Sequence, residues 1–404
     1  MPKFLWTQRT GFGPSPRIGC AMAFDSQRGR TVLFGGDGLG GDFKAETWEW
    51  DGSFWTQMND IGPTPRRDPA MAYDSARQVT VLFGGRSAQG FEGDTWQWDG
   101  QDWTQLSASG PPLRAAHTVA FDIARNRTVL FGGGNDIVNF ADTWEFDGTE
   151  WTKQDDTGPS ERIGHAMAYD PVKSRIILFG GESSATGALG DTWSWDGATW
   201  TRIAEIGPPA RFGAAMVSPG DGVILYGGIS KSHVFADTWE FDGKLWTQRQ
   251  DIGPGPRWSL GAAFDTLRNR AVLFGGIRVF VELEDPAARA QLLGDTWEHT
   301  APAVEPPQVE SIAVDPSAAV SGQLIALTIT LSKKAARPLP VLVRLSSQLG
   351  VFGAGEIPPA EVPAGTLVFA THFRAPQAAV VWNVTAQVAG VEGAQAATTI
   401  LAVG

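Results

Sequence analysis

A Thr-Trp pair recurs six times along this chain, with its tryptophan at Trp48, Trp96, Trp144, Trp193, Trp239 and Trp297. That self-similarity, at a period of about 50 residues, constrains the fold more than any other feature. One copy of the unit reads Arg162-Ile163-Gly164-His165-Ala166-Met167-Ala168-Tyr169-Asp170, then Arg175-Ile176-Ile177-Leu178-Phe179-Gly180-Gly181. It continues with Asp191-Thr192-Trp193-Ser194-Trp195-Asp196-Gly197 and closes on Trp200-Thr201. Each unit supplies four short strands, such as Ala21 to Phe24, Thr31 to Phe34, Thr47 to Trp50 and Phe54 to Gln57. Asp51-Gly52 between the last two is a tight-hairpin signal, because glycine tolerates positive φ. The Gly35-Gly36 doublet after the second strand leaves room for close backbone approach.

The doublets, the two spaced tryptophans and the period together resemble the bacterial kelch family. The doublet is Phe-Gly-Gly in five units and Tyr226-Gly227-Gly228 in the other. The resemblance covers residues 4–299 and implies an all-β fold, a six-bladed β-propeller over residues 1–300 with two large aromatics per unit filling the space between blades. The sixth unit stops at Trp297-Glu298-His299 without a fourth strand, and the missing Trp-Thr-Gln stands at Trp6-Thr7-Gln8. Residues 4–8 are therefore expected to complete blade six and to remove a raw sheet edge.

Residues 301–307 are a Pro-rich linker. Beyond it, over 308–404, short alternating segments recur at Val309–Val314, Leu324–Leu331, Val341–Leu345, Leu367–Phe373, Val380–Val388 and Ala397–Val403, punctuated by Pro and Gly. That pattern suggests an immunoglobulin-like β-sandwich. It resembles the Ig-like modules of bacterial surface proteins and serves as a spacer or docking module on that reading.

Charge and composition exclude several classes. The net charge is −12, and residues 306–404 carry five basic and five acidic groups, so the imbalance belongs to the repeats. There the acids occupy turn and strand-start positions, where Asp accepts backbone N–H groups. An acidic chain without a basic stripe argues against nucleic-acid binding. No apolar run is long enough to span a bilayer, so membrane insertion is not expected. The single cysteine, Cys20, allows no intrachain disulfide and no multi-thiolate metal site. No signal peptide precedes the repeats in the sequence as it stands, and an extracellular or cell-surface location is the expectation from the resemblance.

Function in a propeller concentrates on the top face, where the loops between second and third strands and the connections between blades converge on a rigid scaffold. Arg17, Arg66, Arg114, Arg162, Arg211 and Arg257 occupy one repeat position there. If their heads converge they form a cationic ring for a carboxylate, sulfate or phosphate; arginines at similar positions bind acidic ligands in some kelch proteins. The alternative is architectural, each arginine pairing with the acid that starts the third strand, such as Asp94, Asp142 or Asp191. Positions that vary between units are better candidates. After the arginine, Arg67, Phe212 and Trp258 depart from the small or aliphatic norm. After the doublet come Asp37, Arg86, Gly134-Asn135, Glu182, Ile229 and Ile277. His117 and His165 share a position held elsewhere by Cys20, Pro69, Ala214 and Leu260, and read either as hydrogen-bonded lining or as two metal ligands lacking a third. The loop 277–294 is about twice its counterparts' length, and Pro286 to Leu293 within it is a candidate short helix.

Three functions follow. The first is a non-catalytic recognition protein whose top face binds a glycan, a protein or an acidic ligand, through Arg67, Arg86, Trp258, Glu182, His117, His165 and the six repeat arginines, with no cofactor and no catalytic residues. The second is a sugar-active enzyme such as a mutarotase, with Glu182, His165 and the arginines as acid–base and anion-holding groups. The copper-radical oxidases among kelch proteins need a crosslinked Cys–Tyr pair, and Cys20, Tyr73, Tyr169 and Tyr226 all sit in regular repeat positions, which argues against that chemistry. The third is a structural or assembly component.

Overall fold

The computed structural model describes residues 5–9, 11–38, 40–58, 61–106, 109–154, 157–204, 206–231, 233–249, 253–279 and 290–300 of the repeat region. Beyond it the described residues are 309–320, 324–331, 339–347, 360–362, 368–374, 381–388 and 396–403. The chain divides into two compact units, Met1–Pro302 and Ala303–Gly404.

The first unit is a ring of six antiparallel meanders. Blade one runs outward from the axis as Ala21–Asp25, Arg30–Phe34, Thr47–Trp50 and Trp55–Gln57. The inner strands Ala21–Asp25, Ala70–Asp74, Thr118–Asp122, Ala166–Asp170, Ala215–Val217 and Gly261–Asp265 neighbour one another all the way round. Short, β-branched and aromatic runs form these strands because they pack well on a pleated, half-buried surface. In five blades the third and outer strands are joined by an Asp-Gly turn, where Asp51, Asp99, Asp147, Asp196 or Asp242 accepts two backbone N–H groups through Oδ1.

Among the described residues, an apolar cluster fills each of the six gaps between neighbouring blades. The indole at the start of each outer strand crosses such a gap and donates to the threonine that opens the third strand of the preceding blade. Trp103 reaches Thr47 at 2.8 Å, Trp151 reaches Thr95 at 3.0 Å, Trp200 reaches Thr143 at 2.8 Å and Trp246 reaches Thr192 at 2.9 Å. Trp55 of blade one reaches Thr296 of blade six at 2.8 Å, so the same bond spans the seam. A second set uses the aromatic that ends the third strand: Trp50 donates to Glu298, Trp98 to Glu49 and Trp195 to Glu145. Where the preceding blade carries Gln97 or Ser194 in place of that glutamate, the aromatic is Phe146 or Phe241, which has no N–H to place.

Blade six is completed by Leu5–Arg9, antiparallel to Thr296–Thr300 in the register Trp6↔His299 and Gln8↔Trp297. Trp6 lies in the cluster between blades five and six and donates to Thr238 at 3.3 Å. Arg9 binds Glu298 through Nε at 2.7 Å and Nη2 at 2.5 Å. In the loop after the sixth doublet, Ile277–Val279 pairs with Ala290–Leu292. The short helix expected over 286–293 is corrected at 290–292, where cross-strand pairing makes the backbone extended; 286–289 lie outside the described residues.

The second unit contains two sheets. One orders Val309–Asp315, Leu324–Leu331 and Val368–Arg374. The other orders Ala318–Val320, Ala396–Val403, Val381–Val388, Leu339–Ser347 and Ala360–Val362, with the first pair parallel. Leu327 and Ile329 are fully buried in it.

Closure by a strand remote in sequence makes the first residues structural. Trp6→Ala empties an inter-blade pocket and is expected to cost about 3–5 kcal/mol, read by denaturant unfolding of the full chain. Deleting residues 1–9 is expected to lower the melting temperature markedly. An unchanged melt in either variant would show that the ring does not depend on this strand.

Candidate binding site at the mouth of the propeller

The six repeat arginines do not converge on a ligand. They are 0–2 % exposed, and each head is consumed inside its own blade. In Arg66, Nε donates to the Thr64 carbonyl, Nη1 to the Gly84 carbonyl and to Asp94 Oδ1, and Nη2 to Thr64 Oγ1 and Asp94 Oδ2, which uses all five N–H groups. Arg162 repeats this set with Ser160, Gly180 and Asp191. Arg114, Arg211 and Arg257 hold Asp142, Asp237 and Asp295 in the same two-pronged way. Where proline replaces the hydroxyl residue two positions earlier, the guanidinium lies over a phenylalanine ring, Arg114 at 3.9 Å from Phe140 and Arg211 at 3.7 Å from Phe235. Arg17 binds Glu46 at 2.6 Å. The cationic ring is thus replaced by the architectural alternative: burying a guanidinium without a carboxylate is too costly, and the third-strand acid supplies it.

Two features of the mouth lie beyond those arginines. One is a closed belt of backbone hydrogen bonds, one residue per blade. Asp68 N–H donates to Gly19, Ala116 to Asp68, Gly164 to Ala116, Gly213 to Gly164, Ser259 to Gly213 and Gly19 to Ser259, at 2.7–3.1 Å. All six residues have φ between 53° and 62°. Glycine suits that conformation, and a Cβ on Gly19 would stand 2.3 Å from Asp68 Oδ1. Asp68 is the only ionisable side chain in the belt. The other feature is a ring of cross-strand pairs formed by the residue after each arginine and the residue after each doublet: Ile18↔Asp37, Arg67↔Arg86, Ala115↔Gly134, Ile163↔Glu182, Phe212↔Ile229 and Trp258↔Ile277.

This ring has two unlike sides. Blades five and six present Phe212 and Trp258 edge-to-face at 5.9 Å, with Ile229 and Ile277 behind them. Blades one and two present Arg67 between Asp37 at 3.4 Å and Asp68 at 3.6 Å, and Arg86 over the Phe91 ring at 5.0 Å and 3.9 Å from Asp136. Three buried polar atoms on the ring have no hydrogen-bond partner: Asp37 Oδ1, Arg67 Nε and Trp258 Nε1. Burial pushes the Asp68 carboxyl up to about 6, against the pull of Arg67 and with the help of Asp37, while Arg86 opposes them.

The histidines are not at the mouth surface. His117 is 3 % and His165 2 % exposed, each set edge-on against the phenylalanine of the preceding blade, Phe83 or Phe131. His117 Nε2 lies 3.1 Å from the Phe83 carbonyl. Burial, then the charge of Arg114, pushes its imidazole down to about 3, and burial with Arg162 lowers His165 as well. Both are neutral lining between blades. Glu182 pairs with Ile163 on the ring, and His165 is buried. Among the described residues, no three His, Cys, Asp or Glu side chains group to hold a metal. Cys20 is buried between blades one and six with its thiol pushed up to about 11 by that burial. Sequence reasoning placed Arg67, Arg86, Glu182 and Trp258 on this ring and missed Asp68; the available signal was an acid where Gly19, Gly164 and Gly213 stand in other units.

Opposite pH effects separate the two kinds of carboxylate. Burial alone would raise Asp142, but Arg114 and the Trp144 N–H outweigh it and hold it below its ordinary value. Its contribution is present above about pH 4 and lost as pH falls through the lower folded value. Asp142→Ala leaves Arg114 buried and uncompensated, an expected loss of about 3–5 kcal/mol. Asp68, raised in the folded state, stabilises below its ordinary value and loses that contribution as pH rises through about 6. Asp68→Asn is therefore expected to raise the melting temperature at about pH 8 and leave it unchanged near pH 4. A variant with the same shift at both values would show that the Asp68 charge is not the cause.

The profile of the KLHDC2/KLHL20/DRC7 Kelch-repeats domain matches residues 3–158 and 148–314, well over half of the chain. No curated protein matches the sequence. A Kelch-repeat propeller is typically a protein-interaction scaffold, consistent with non-catalytic binding. With six blades built on the Arg–carboxylate unit and matched end to end by that profile, the chain belongs to the Kelch-repeat domain family.

Proposed function

We propose that this chain is a non-catalytic recognition protein that takes a segment of a partner protein at the top mouth of the propeller. The observation that carries this reading is the ring of repeat-variant pairs, aromatic on one side and charged on the other, with unmet donors on Arg67 and Trp258 and an unmet acceptor on Asp37. Unmet groups such as the Thr31, Thr80 and Thr128 hydroxyls recur from blade to blade and belong to the architecture; groups left so on the ring, where the fold does not require the residue, favour a ligand that supplies both a donor and an acceptor. A polypeptide segment does so through its own amides, and its apolar side chains suit the Phe212–Trp258 side.

Further support for a protein over a glycan comes from exposed apolar side chains on the top-side connections. Phe12, Ile61 and Ile206 stand at one repeat position before a Gly-Pro and are 100 %, 78 % and 88 % exposed. Ile137, at the tip of the blade-three turn, is 92 % exposed. An acidic ligand remains within the proposal only through Arg67 and Arg86, since the six repeat arginines are occupied. The second unit, read as an Ig-like sandwich, is proposed as a spacer or docking module; its two sheets and buried Leu327 and Ile329 support that reading.

Panning a random-peptide display library on the full chain tests the site. Enriched peptides are expected to bind Trp258→Ala and the Arg67→Ala/Arg86→Ala pair at least about tenfold more weakly, a loss of about 1.4 kcal/mol or more. They are expected to bind Phe54→Ala, on the opposite face, unchanged. Enriched peptides that lose affinity only with Phe54→Ala would move the site away from the mouth. A glycan array that gives mouth-dependent binding where the peptide library gives none would replace the partner class.

A further inference from the structure

The segment that closes the ring has a duplicate inside it. Leu5–Arg9 reads Leu-Trp-Thr-Gln-Arg, and so does Leu245–Arg249 in blade five. The two are held alike. Trp246 pairs with Phe241 and Arg249 with Thr238, as Trp6 pairs with His299 and Arg9 with Thr296. Trp246 donates to Thr192 and Trp6 to Thr238, each in the preceding blade. Arg249 binds Glu240 and Arg9 binds Glu298. One difference is covalent: the blade-five strand follows its partner through Asp242-Gly243, whereas Leu5–Arg9 has no hairpin to Thr296–Thr300. The other is His299, which is 1 % exposed and 4.8 Å from the Trp6 ring. It stands where the other blades have Trp50, Trp98, Phe146, Trp195 or Phe241.

We propose that the seam of blade six is an exchangeable strand-docking site, at which the edge Thr296–Thr300 accepts the segment Leu5–Arg9 of a second copy of this chain in place of its own. Recognition at this edge consists of ladder pairing, the Trp6 pocket against Tyr226 and His299, and the carboxylate of Glu298; none of these requires that the strand belong to the same chain. Residues 10–16, with Pro14 and Pro16, tie the strand to Arg17 and blade one, which gives the chain's own strand a local concentration on the order of millimolar. The closed monomer therefore prevails at low concentration, and exchange follows opening at high concentration.

His299 supplies the means of opening. Burial pushes its imidazole down to about 4. The charged groups around the strand are Glu298, shared by Arg9 and Arg270 in blade six, and Glu240 with Arg249 in blade five. With its folded value depressed, neutral His299 stabilises the seam above about pH 6.5, and that contribution is lost as pH falls through about 4. A charge then forms in a buried position beside the Trp6 indole, where burial disfavours the charged form.

The test holds the full chain near pH 4 at concentrations from about 10 μM to 500 μM, neutralises it, and measures mass by size exclusion with light scattering. Dimer is expected in a fraction that rises with concentration at neutralisation, and several-fold less of it in His299→Phe. A Leu5→Cys/Thr300→Cys pair, opposite one another in the ladder, is expected to abolish dimer when oxidised and restore it when reduced. Should acid precipitate the chain, mild denaturant at neutral pH opens it instead, and a fluorescent peptide with the sequence of residues 4–11 is added before dilution. One peptide per chain is then expected to co-elute, and none with the oxidised pair. Dimer of equal amount in the locked chain places association elsewhere and overturns the proposal. A wild-type chain that yields neither dimer nor captured peptide overturns it as well.

Discussion

The buried arginine fork is the constraint from which the rest of the ring follows. A guanidinium at 0–2 % exposure is tolerable only when a carboxylate and carbonyls take most of its N–H groups, with a phenylalanine ring in place of the missing hydroxyl at Arg114 and Arg211. In each blade those acceptors tie together the connection that enters the blade, the turn after the second strand and the start of the third. The carbonyl partner is the first glycine of the doublet, such as Gly84 for Arg66 or Gly180 for Arg162. The second glycine must let the arginine pass: a Cβ on Gly36 would stand 3.0 Å from Arg17 Cδ, at φ 106°. The acid in turn accepts the indole N–H two residues on, as Asp94 does from Trp96 and Asp191 from Trp193. Arginine, doublet, acid and tryptophan recur together because each leaves a costly orphan if one is missing. Blade one shows the rule by its exception. Glu46 replaces the aspartate, and Trp48 Nε1 is left buried without a hydrogen-bond partner.

Once the blades are fixed this way, their inner ends meet at a set distance, and the belt from Gly19 to Ser259 records it. Six residues donate in a cycle, each at positive φ. No blade can tilt without breaking two of those bonds, so the floor of the mouth is rigid and the wall above it is set by pairs that the architecture leaves free to vary. The charged and aromatic sides of that wall are therefore a property of this chain rather than of its fold. Asp68 shows the cost of placing an ionisable residue in the belt: its carboxyl is held partly out of water beside Asp37, with the loose contact to Arg67 and the more remote charge of Arg86 to offset it.

The fold was legible because its signals are local and repeated. The doublets, the Asp-Gly turns and the two tryptophans can be read one unit at a time, and the stray Trp6-Thr7-Gln8 reveals its place by resembling the outer strands. The site was legible only in part. Variation between units pointed to Arg67, Arg86, Glu182 and Trp258, since a residue the fold does not demand stands out against five that it does. The arginine heads could be read two ways, because their identity gives charge but not direction, and only the geometry shows the carboxylate that each one meets inside its own blade. His117 and His165 stayed ambiguous for the same reason: one residue type serves as buried lining or as a ligand, and the deciding quantity is 2–3 % exposure, which a sequence does not print. The alternation of Trp50, Trp98 and Trp195 with Phe146 and Phe241 was present in the sequence all along. It becomes meaningful only when the preceding blade's Glu298, Glu49, Glu145, Gln97 or Ser194 is seen to be the neighbour.

That neighbour rule also explains why the seam is the weakest joint of a ring that is otherwise uniform. Five junctions between third and outer strands are covalent hairpins, and the sixth is held by non-covalent contacts alone, the backbone ladder and side chains. At the same junction, the residue beneath the closing indole is His299 rather than an aromatic hydrocarbon or an indole. The preceding blade's glutamate, Glu240, is engaged by Arg249 of its own blade. Blade six thus lacks both the covalent turn and the Trp–Glu bond that joins blades one, two and four to their predecessors. What remains is Arg9 on Glu298, the Trp6 bond to Thr238 at 3.3 Å, the longest of its set, and the ladder. On the proposal above, opening of the ring begins at this joint, because it is the one that lacks a covalent turn.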